Sequence, residues 1–269
     1  MQGVFDLDAY FERIRYGGAG TPNFETLSGI LSAHTESIPF ENLDVLLGRP
    51  IKLEIESLSD KIVKRRRGGY CFEHVTLFAA AIEQLGFKPV RHTARATLAA
   101  PRSQAPRTHM FVSVDLPEGV FIVDPGFGGL APRFLVPLSD KRALEIDGVS
   151  HWMVRDGIYW TLRAQVGDSV VDSWSSTMEP DNLVDFDLGN YYISTHPNSP
   201  FVNRLMLRSF KNPKIMSVMN RDVTVRTDSH VETFQLTDRS SLRNLVNEYL
   251  GFDLPEIENI RVPMIPEWQ

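Results

Sequence analysis

The chain has 269 residues and a formal net charge of -6, and its residues are 42% hydrophobic and 23% charged. This composition is typical of a folded protein with a sizeable core, and a length of this order usually divides into one to three domains. An acidic chain is a poor partner for nucleic acid, since phosphates need a basic face, and the basic run 64–67 is too short to change that. No stretch approaches the roughly 18 apolar residues that cross a bilayer.

The sequence contains one cysteine, Cys71. A single cysteine excludes an internal disulfide and cysteine-rich zinc sites, and it fits a reducing compartment. The N-terminal segment lacks the basic stretch followed by an apolar stretch that marks a secretory signal. The sequence therefore predicts a cytoplasmic protein.

The first third of the chain has the three-and-four spacing of helices. The segment "DLDAYFERI" offers Asp6 or Asp8 as an N-cap, and "NFETLSGILSAH" continues in the same style. The next segment, "IPFENLDVLLGRPIKL", is expected to be extended because two prolines interrupt it.

Two consecutive helices are predicted around the cysteine. The segment "SLSDKIVKRRRGG" opens with Ser57 and Asp60 in the spacing of a capping box and is expected to close on Gly68. The segment "CFEHVTLFAAAIEQLG" has apolar residues at helical spacing, so a second helix is predicted from Cys71 to Gly86.

From about Phe87 the hydrophobic period changes to two, which predicts strands. The segments "HMFVSVDL" and "GVFIVDPG" flank Pro117-Glu118, and later turn signals stand at Asp156-Gly157 and Gly167-Asp168. These patterns predict an antiparallel sheet or a small barrel that no helix interrupts.

After about Asn190 the pattern mixes strands and helix again. The segments "RDVTVRT" and "HVETFQL" predict strands, and "DRSSLRNLVNEYLG" predicts a helix with Asp238 as its cap and Gly251 as its stop. The changes of period therefore divide the chain into a helical domain, a sheet domain and a mixed domain at 1–86, 87–190 and 191–269.

The position of Cys71 at a helix start favours its thiolate, because unpaired N–H groups and the positive end of the helix dipole attract an anion. Free cysteine is also among the most buried residue types, so core filler is the alternative. The position of Cys71 alone does not decide between a reactive thiol and a buried core residue.

A thiol nucleophile needs an imidazole base, and the base needs an acceptor that fixes its tautomer. His74 follows Cys71 by three residues, but no carboxylate is placed to orient it. If the hairpin turn is centred near residue 117, His109 and Asp124 are direct or diagonal neighbours, joined through Nδ1 of the imidazole. A register shifted by one residue would put them on opposite faces, and the sequence does not fix the register.

Phosphate and zinc motifs are weak in this sequence. The turn "DPGFGG" lacks a following Lys-Ser/Thr and does not match the dinucleotide fingerprint. Cys71, Glu73, His74 and His109 have suitable donor atoms for zinc, but there is no HExxH motif and no paired cysteine. We therefore expect no metal site.

At these residues the chain resembles the arylamine N-acetyltransferase family. The resemblance lies in segments that occur in the family's order and cover most of the first half of the chain: "YFERI" (10–14), "IPFENLDV" (38–45), "RRRGGYCFEHVTLF" (65–78), "THMFVSV" (108–114) and "VDPGFGG" (123–129). The second half resembles the family more loosely, through "STHPNSPF" (194–201).

The resemblance implies an α+β fold with an N-terminal helical domain, a central antiparallel β-barrel and a C-terminal α/β lid around a core like that of papain and transglutaminases. It implies that Cys71 is the nucleophile, His109 its base and Asp124 the orienting carboxylate. The implied reaction is ping-pong transfer of an acetyl group from acetyl-CoA to arylamines or arylhydrazines through an acetyl-cysteine. The other residues that the resemblance implies line the cleft for substrate and cofactor (Tyr70, Thr108, Phe127, Gly128, Gly129 and Phe201) or support it (Arg13, Glu41 and Arg67).

Two rival functions share these residues. A papain-like thiol hydrolase or a transglutaminase-like amide transferase uses the same Cys, His and Asp order, and a binding protein could keep the fold without turnover. The physiological acceptor, the preferred acyl length, the route of the cofactor and the oligomeric state stay open, with a homodimer as one candidate.

Overall fold

The structure, a computed structural model, describes residues 5–139, 145–146, 148–211 and 213–269. The helices of the described residues are α1 Leu7–Ile14, α2 Phe24–Ser37, α3 Leu43–Leu46, α4 Ile55–Leu58, α5 Cys71–Gln84, α6 Leu183–Thr195, α7 Pro200–Asn203 and α8 Arg239–Leu245. The strands are β1 Phe40–Glu41, β2 Val90–Ala96, β3 Arg107–Leu116, β4 Gly119–Val123, β5 Val136–Pro137, β6 Glu145–Ile146, β7 Val149–Asp156, β8 Tyr159–Val166, β9 Ser169–Ser176, β10 Met206–Ser209, β11 Ile215–Met219, β12 Asp222–Arg226 and β13 Val231–Gln235.

The early helices begin where the sequence predicts. The Asp6 side chain accepts a hydrogen bond from the N–H of Ala9, and Asn23 caps α2 in the same way. The helix that starts at Cys71 ends before Gly86, whose φ of 90° only glycine adopts readily. The segment expected to be extended between them contains the two-residue strand β1 and the short helix α3.

The helix before the cysteine differs from the prediction at both ends. It begins after Glu54 rather than at Ser57, and past α4 it widens into a π-helical turn over Ser59–Lys64. Arg66, not Gly68, takes the left-handed conformation that ends it, with φ 56°. Gly68 is required for another reason, because a Cβ there would collide with the carbonyl oxygen of Pro39.

A curled antiparallel sheet carries the central part of the chain. Its strand order is β5-β4-β3-β2-β9-β8-β7-β6, and β5 contacts β7, so the sheet curves back on itself. The register pairs Val112 with Val123 and Leu116 with Gly119, which confirms a turn centred near residue 117. The turns predicted at Asp156-Gly157 and Gly167-Asp168 are also confirmed.

A second antiparallel sheet has the order β1-β10-β11-β12-β13. Strands β12 and β13 lie where the sequence predicts them, and α8 is capped by Asp238 and ends, after a π turn, at Gly251. The sheet includes β1 because Phe40 pairs with Arg208. The early helical segment and the C-terminal segment are therefore joined by backbone hydrogen bonds.

Helix α6 is a correction to the prediction of an uninterrupted sheet up to residue 190. It begins at Leu183 and runs across the predicted boundary between residues 190 and 191. Its apolar residues Leu183, Val184, Leu188 and Tyr191 are between 69% and 74% exposed. Because they do not face the core, they break the amphipathic period by which a surface helix is recognised. The three-domain division itself stays a prediction.

Two negative findings apply to the described residues. None of their helices is long and apolar enough to span a membrane. Nor do the described residues bring together three or more His, Cys, Asp or Glu side chains that could hold a metal ion.

Candidate active site

Cys71 is the first residue of α5, and the structure buries it to 4% exposure. The backbone N–H of Tyr70 donates to Glu73 Oε2 at 3.1 Å, which fixes the start of the helix one residue before the thiol. The Sγ of Cys71 lies 3.7 Å from the carbonyl oxygen of Thr108. Gly126 packs against the same residue so closely that a Cβ there would stand 2.7 Å from the Cα of Cys71.

His109 and Asp124 meet as predicted, on the hairpin of β3 and β4. His109 Nε2 lies 2.8 Å from Asp124 Oδ2, and both residues are buried. The predicted nitrogen is wrong, because the carboxylate holds Nε2 rather than Nδ1. Because Asp124 holds Nε2, Nδ1 is the ring nitrogen that remains to exchange a proton with another group.

Asp124 has two further donors. Trp174 Nε1 donates to Oδ2 at 2.9 Å, and the N–H of Gly126 donates to Oδ1 at 3.2 Å. Trp174 lies on β9, and its ring stacks on Phe111 with a centroid distance of 4.2 Å. The Asp124 carboxylate is thus held by the indole of Trp174, the backbone N–H of Gly126 and the imidazole of His109.

The charge of His109 depends on its two neighbours. Burial opposes protonation, but the Asp124 carboxylate and its hydrogen bond, together with a hydrogen bond to Cys71 and the charge of its sulfur, raise the pKa of His109 to about 10. An imidazolium is therefore stable beside Cys71 at neutral pH. The His109 imidazolium, paired with Asp124, thus holds a proton next to the Cys71 sulfur.

His74 is held as a neutral structural group. Tyr10 OH lies 2.7 Å from His34 Nδ1, His34 Nε2 lies 2.9 Å from His74 Nδ1, and His74 Nε2 lies 3.1 Å from the carbonyl oxygen of Gly69. Burial lowers the pKa of His74 to about 4, although backbone carbonyls act in the opposite direction. His74 therefore donates to a carbonyl near the start of α5 and does not serve Cys71 as a base.

The arginine run is mainly structural. Arg67 pairs with Glu41 at 2.7 Å in a buried ion pair, and exposed Arg65 pairs with Asp60. Buried Arg13 donates to four carbonyl oxygens, those of Ile62, Ser37, Arg66 and Arg67. Arg13, Glu41 and Arg67 thus form buried contacts, and their role in supporting the site stays a prediction.

Lys61 adds a second buried ion pair at the start of α5. Its Nζ lies 2.8 Å from Asp44 Oδ2 and 2.7 Å from Glu73 Oε1. Because Glu73 also accepts from Tyr70, the ion pairs support the helix turn that carries the thiol.

Half-buried aromatic rings lie against His109 and against Tyr70, the residue before the thiol. The ring of Phe127 meets His109 edge-on at 4.8 Å, and Phe201 lies 6.0 Å from Phe40 and 5.2 Å from Tyr70. Tyr70 itself has no exposed surface, and its hydroxyl bonds to Asn190. Tyr70 therefore packs against Phe201 and offers no surface to a ligand.

The remaining residues predicted to line the cleft lie beside these rings. Thr108 is buried, and its carbonyl faces the sulfur of Cys71. Gly128 has a φ of 65° and approaches the ring of Phe40 so closely that a Cβ would lie 3.3 Å from it. Gly129 is exposed, and a Cβ there would meet no atom within 4 Å.

Sequence reasoning missed three residues of the site. Gly126 and Phe40 lie inside segments that carry the family resemblance, so the segments could have pointed to them. Trp174 has no local signal, because its contact with Asp124 depends on β9 pairing with β2. Only the folded sheet reveals that partner.

Comparisons with known proteins agree with one another. A family model described as N-acetyltransferase matches residues 23–259. An arylamine N-acetyltransferase of Mycobacterium tuberculosis is 34% identical over 260 residues, covering 94% of this chain and 92% of that protein. One from Escherichia coli is 31% identical, covering 94% and 91%. The solved structure of the Mycobacterium marinum arylamine N-acetyltransferase in complex with CoA has a TM-score of 0.88 and 32% identity and covers 94% of each chain.

Proposed function

Because this protein belongs to the arylamine N-acetyltransferase family, we propose that it carries the acetyl group from acetyl-CoA to arylamines on the sulfur of Cys71, in a two-step ping-pong reaction. Acetyl transfer from acetyl-CoA to arylamines follows from membership of the family. The acetyl-cysteine intermediate and the roles of individual residues are the proposal. The observation that carries it is the 2.8 Å hydrogen bond between His109 and Asp124 beside the buried thiol.

In the first step, the thiolate of Cys71 attacks the thioester carbonyl of acetyl-CoA. A carbon–sulfur bond to Cys71 forms, the bond to the sulfur of CoA breaks, and His109 supplies the proton that the departing thiolate takes up. The backbone N–H of Cys71, at the first turn of α5, is free to stabilise the negative oxygen of the tetrahedral intermediate, since no described group accepts from it.

In the second step, the amine nitrogen attacks the acetyl group on Cys71. His109 accepts the proton that the nitrogen loses, and the thiolate of Cys71 leaves. Asp124 keeps the imidazole oriented through both steps and stabilises it when it is protonated. His109 thus ends the cycle protonated, as it began.

Three aromatic side chains of the site suit an aromatic acceptor. Phe40, Phe127 and Phe201 are half-buried, so they offer ring faces and edges to a flat arylamine or arylhydrazine. A small aromatic acceptor needs no charged partner in the site. The amino group has only to reach the acetyl carbon on Cys71.

Kinetics distinguish this mechanism from direct transfer in a ternary complex. Initial rates measured against acetyl-CoA at several fixed arylamine concentrations should give parallel double-reciprocal lines. In the absence of amine, a stoichiometric burst of free CoA should appear, followed by slow hydrolysis. Intersecting lines with no burst would exclude the acetyl-cysteine route.

Three broader features belong to the same proposal. We assign residues 1–86, 87–190 and 191–269 to a helical domain, a β-barrel and an α/β lid around a papain-like core. The order of helices and sheets supports this assignment, although α6 crosses the second boundary. We place the protein in the cytoplasm, where a single reduced cysteine is stable. Every reacting group lies on one chain, so the mechanism needs one protomer, and a homodimer stays a prediction.

A further inference from the structure

Strand β13 is an open edge of the second sheet. It pairs with β12 on one side only, because it stands last in the strand order β1-β10-β11-β12-β13. All of its residues, Val231–Gln235, are exposed. Its two large apolar side chains, Val231 and Phe234, are 53% and 39% exposed. The free side of β13 therefore faces solvent.

Proteins normally protect such an edge, since its unpaired N–H and C=O groups attract another strand. Prolines, lysines, bulges and covering segments are the usual means of protection. The sequence of β13, VETFQ, contains neither proline nor lysine, and Glu232 is its only charged residue. Its register with β12 runs from Val231 to Gln235 without a shift. β13 is therefore a regular edge that is suited to accept a further strand.

Hydrogen bonds at both ends of the β12–β13 hairpin show which groups of β13 point outward. Thr227 N–H donates to the carbonyl of His230 at 2.8 Å, and Leu236 N–H donates to the carbonyl of Arg221 at 2.9 Å. Because bonded and non-bonded pairs alternate in an antiparallel ladder, the even-numbered residues of β13 bond to β12. The outward N–H and C=O groups are those of the odd-numbered residues, Val231, Thr233 and Gln235.

These outward groups match a second copy of the same strand. If two β13 strands run antiparallel about a two-fold axis at Thr233, each Thr233 lies opposite the other, and Val231 lies opposite Gln235 of the second copy. Each outward N–H then faces an outward carbonyl, because opposite residues that point toward each other exchange both of their backbone hydrogen bonds. The pattern of donors and acceptors is thus self-complementary, as an isologous interface requires.

The side chains of β13 suit the same register. Val231, Thr233 and Gln235 share one face of the strand, so the register brings the two threonines together, a favourable cross-strand pair. On the other face Phe234 lies opposite Glu232 of the second copy, so no like charges are directly opposite. The two phenylalanine rings become diagonal neighbours, about 7–8 Å apart, which is within reach of aromatic side chains. Pairing would thus reduce the exposed apolar surface of both strands.

We propose that the β13 edges of two copies of this chain pair antiparallel about Thr233 and join their second sheets into one continuous sheet. One strand pair covers less than the roughly 800 Å² per partner of a standard interface, so the dimer is weak and depends on concentration. The residues that carry the proposed function lie outside 230–236, so each protomer keeps its own complete site.

Engineered disulfides test the register in the full chain. In the proposed dimer the two Cα atoms at position 233 lie about 5.5 Å apart, which a disulfide can bridge. The two Cα atoms at position 235 lie roughly 13 Å apart along the strands, which a disulfide cannot bridge. Under mild oxidation Thr233→Cys should therefore form a linked dimer at least about tenfold faster than the matched variant Gln235→Cys. Wild type should stay unlinked because Cys71 is buried, and equal rates for the two variants would overturn the proposed register.

Sedimentation equilibrium measures the association without an engineered bond. The average mass of wild type should rise above that of one chain as its concentration increases from about 1 µM to 1 mM. Thr233→Pro removes an outward N–H that β12 does not use, and edge strands tolerate proline at such positions. This variant should keep a melting temperature near that of wild type and sediment as one chain at every concentration.

Two results would contradict the dimer itself. One is a wild type that sediments as one chain throughout, and the other is a dimer that persists in Thr233→Pro and so uses another surface. Thr233→Cys changes the strand less than proline does, so the disulfide test decides the register even where Thr233→Pro is destabilised.

Discussion

Asp124 Oδ2 accepts hydrogen bonds from both His109 Nε2, at 2.8 Å, and Trp174 Nε1, at 2.9 Å. A single carboxylate oxygen thereby connects the hairpin of β3 and β4 with β9, on the other side of β2. The orientation of the imidazole depends on this tryptophan as well as on the aspartate.

Trp174→Phe tests that dependence. Phenylalanine keeps an aromatic ring against Phe111 but removes the N–H, and a hydrogen bond to a charged group contributes about 1.5 kcal/mol or more. We expect kcat to fall roughly tenfold with little change in KM for the acceptor. The matched variant is Trp160→Phe, whose ring lies near Arg155 on β7, and it should keep wild-type kcat. Equal kcat in both variants would show that Trp174 does not position Asp124.

Alkylation measures how far His109 activates the thiol. His109→Ala should slow the reaction of Cys71 with iodoacetamide at neutral pH by at least about tenfold, because the proton acceptor is lost. Arg65→Ala should leave the rate near wild type, since Arg65 is exposed and pairs with Asp60. Comparable slowing in the two variants would mean that the arginine run, not His109, activates Cys71.

Gly126→Ala tests the close approach of the turn at residues 124–129 to the nucleophile. The added methyl would stand 2.7 Å from the Cα and 3.1 Å from the carbonyl oxygen of Cys71, both backbone atoms. We expect acetylation of Cys71 to fall by an order of magnitude or more and the melting temperature to drop. Gly17→Ala is the control, because a Cβ at Gly17 meets no atom within 4 Å. A fully active Gly126→Ala variant would contradict this geometry.

The buried histidines set the stability in acid. Burial lowers the pKa of His34 well below its ordinary value and that of His74 to about 4, so the folded protein holds both neutral. Below about pH 6.5 the unfolded chain binds protons that the folded chain does not, so the free energy of unfolding decreases as the pH falls toward 4. Urea denaturation should show a loss of about 2 kcal/mol per histidine between pH 7 and pH 5.

His109 contributes with the opposite sign. Its raised pKa stabilises the fold below about pH 6.5, and this contribution is lost as the pH rises toward 10. His34→Gln should make the acid-side dependence shallower, because one proton-binding group of the unfolded chain is gone. Stability that stays constant from pH 7 to pH 5 would show that these histidines are protonated in the folded protein.

Local signals predicted much of the site. The helix start at Cys71 and the hairpin that joins His109 to Asp124 are set within short segments, by capping and by turn position. The sequence could not show which imidazole nitrogen of His109 bonds to Asp124, because this depends on the direction in which the side chain leaves the strand. Trp174 was also missed, since it reaches Asp124 through pairing between strands that are distant in sequence.

The fold shows the same division between local and distant effects. Helix caps at Asp6 and Asp238 and the two-residue turns were predictable from residue type. Helix α6 was not, because four of its apolar side chains face outward and obscure the helical period. The end of the helix at Arg66 was missed as well, since the glycine that follows serves a close approach to Pro39 rather than a left-handed turn.

The most direct test of the mechanism is the intact mass of the protein after incubation with acetyl-CoA in the absence of amine. We predict a gain of one acetyl group, located on Cys71 by peptide mapping, absent in Cys71→Ser, and lost to the acceptor when an arylamine is added. An enzyme that forms acetylated arylamine at the normal rate but never carries an acetyl group on Cys71 would contradict the account.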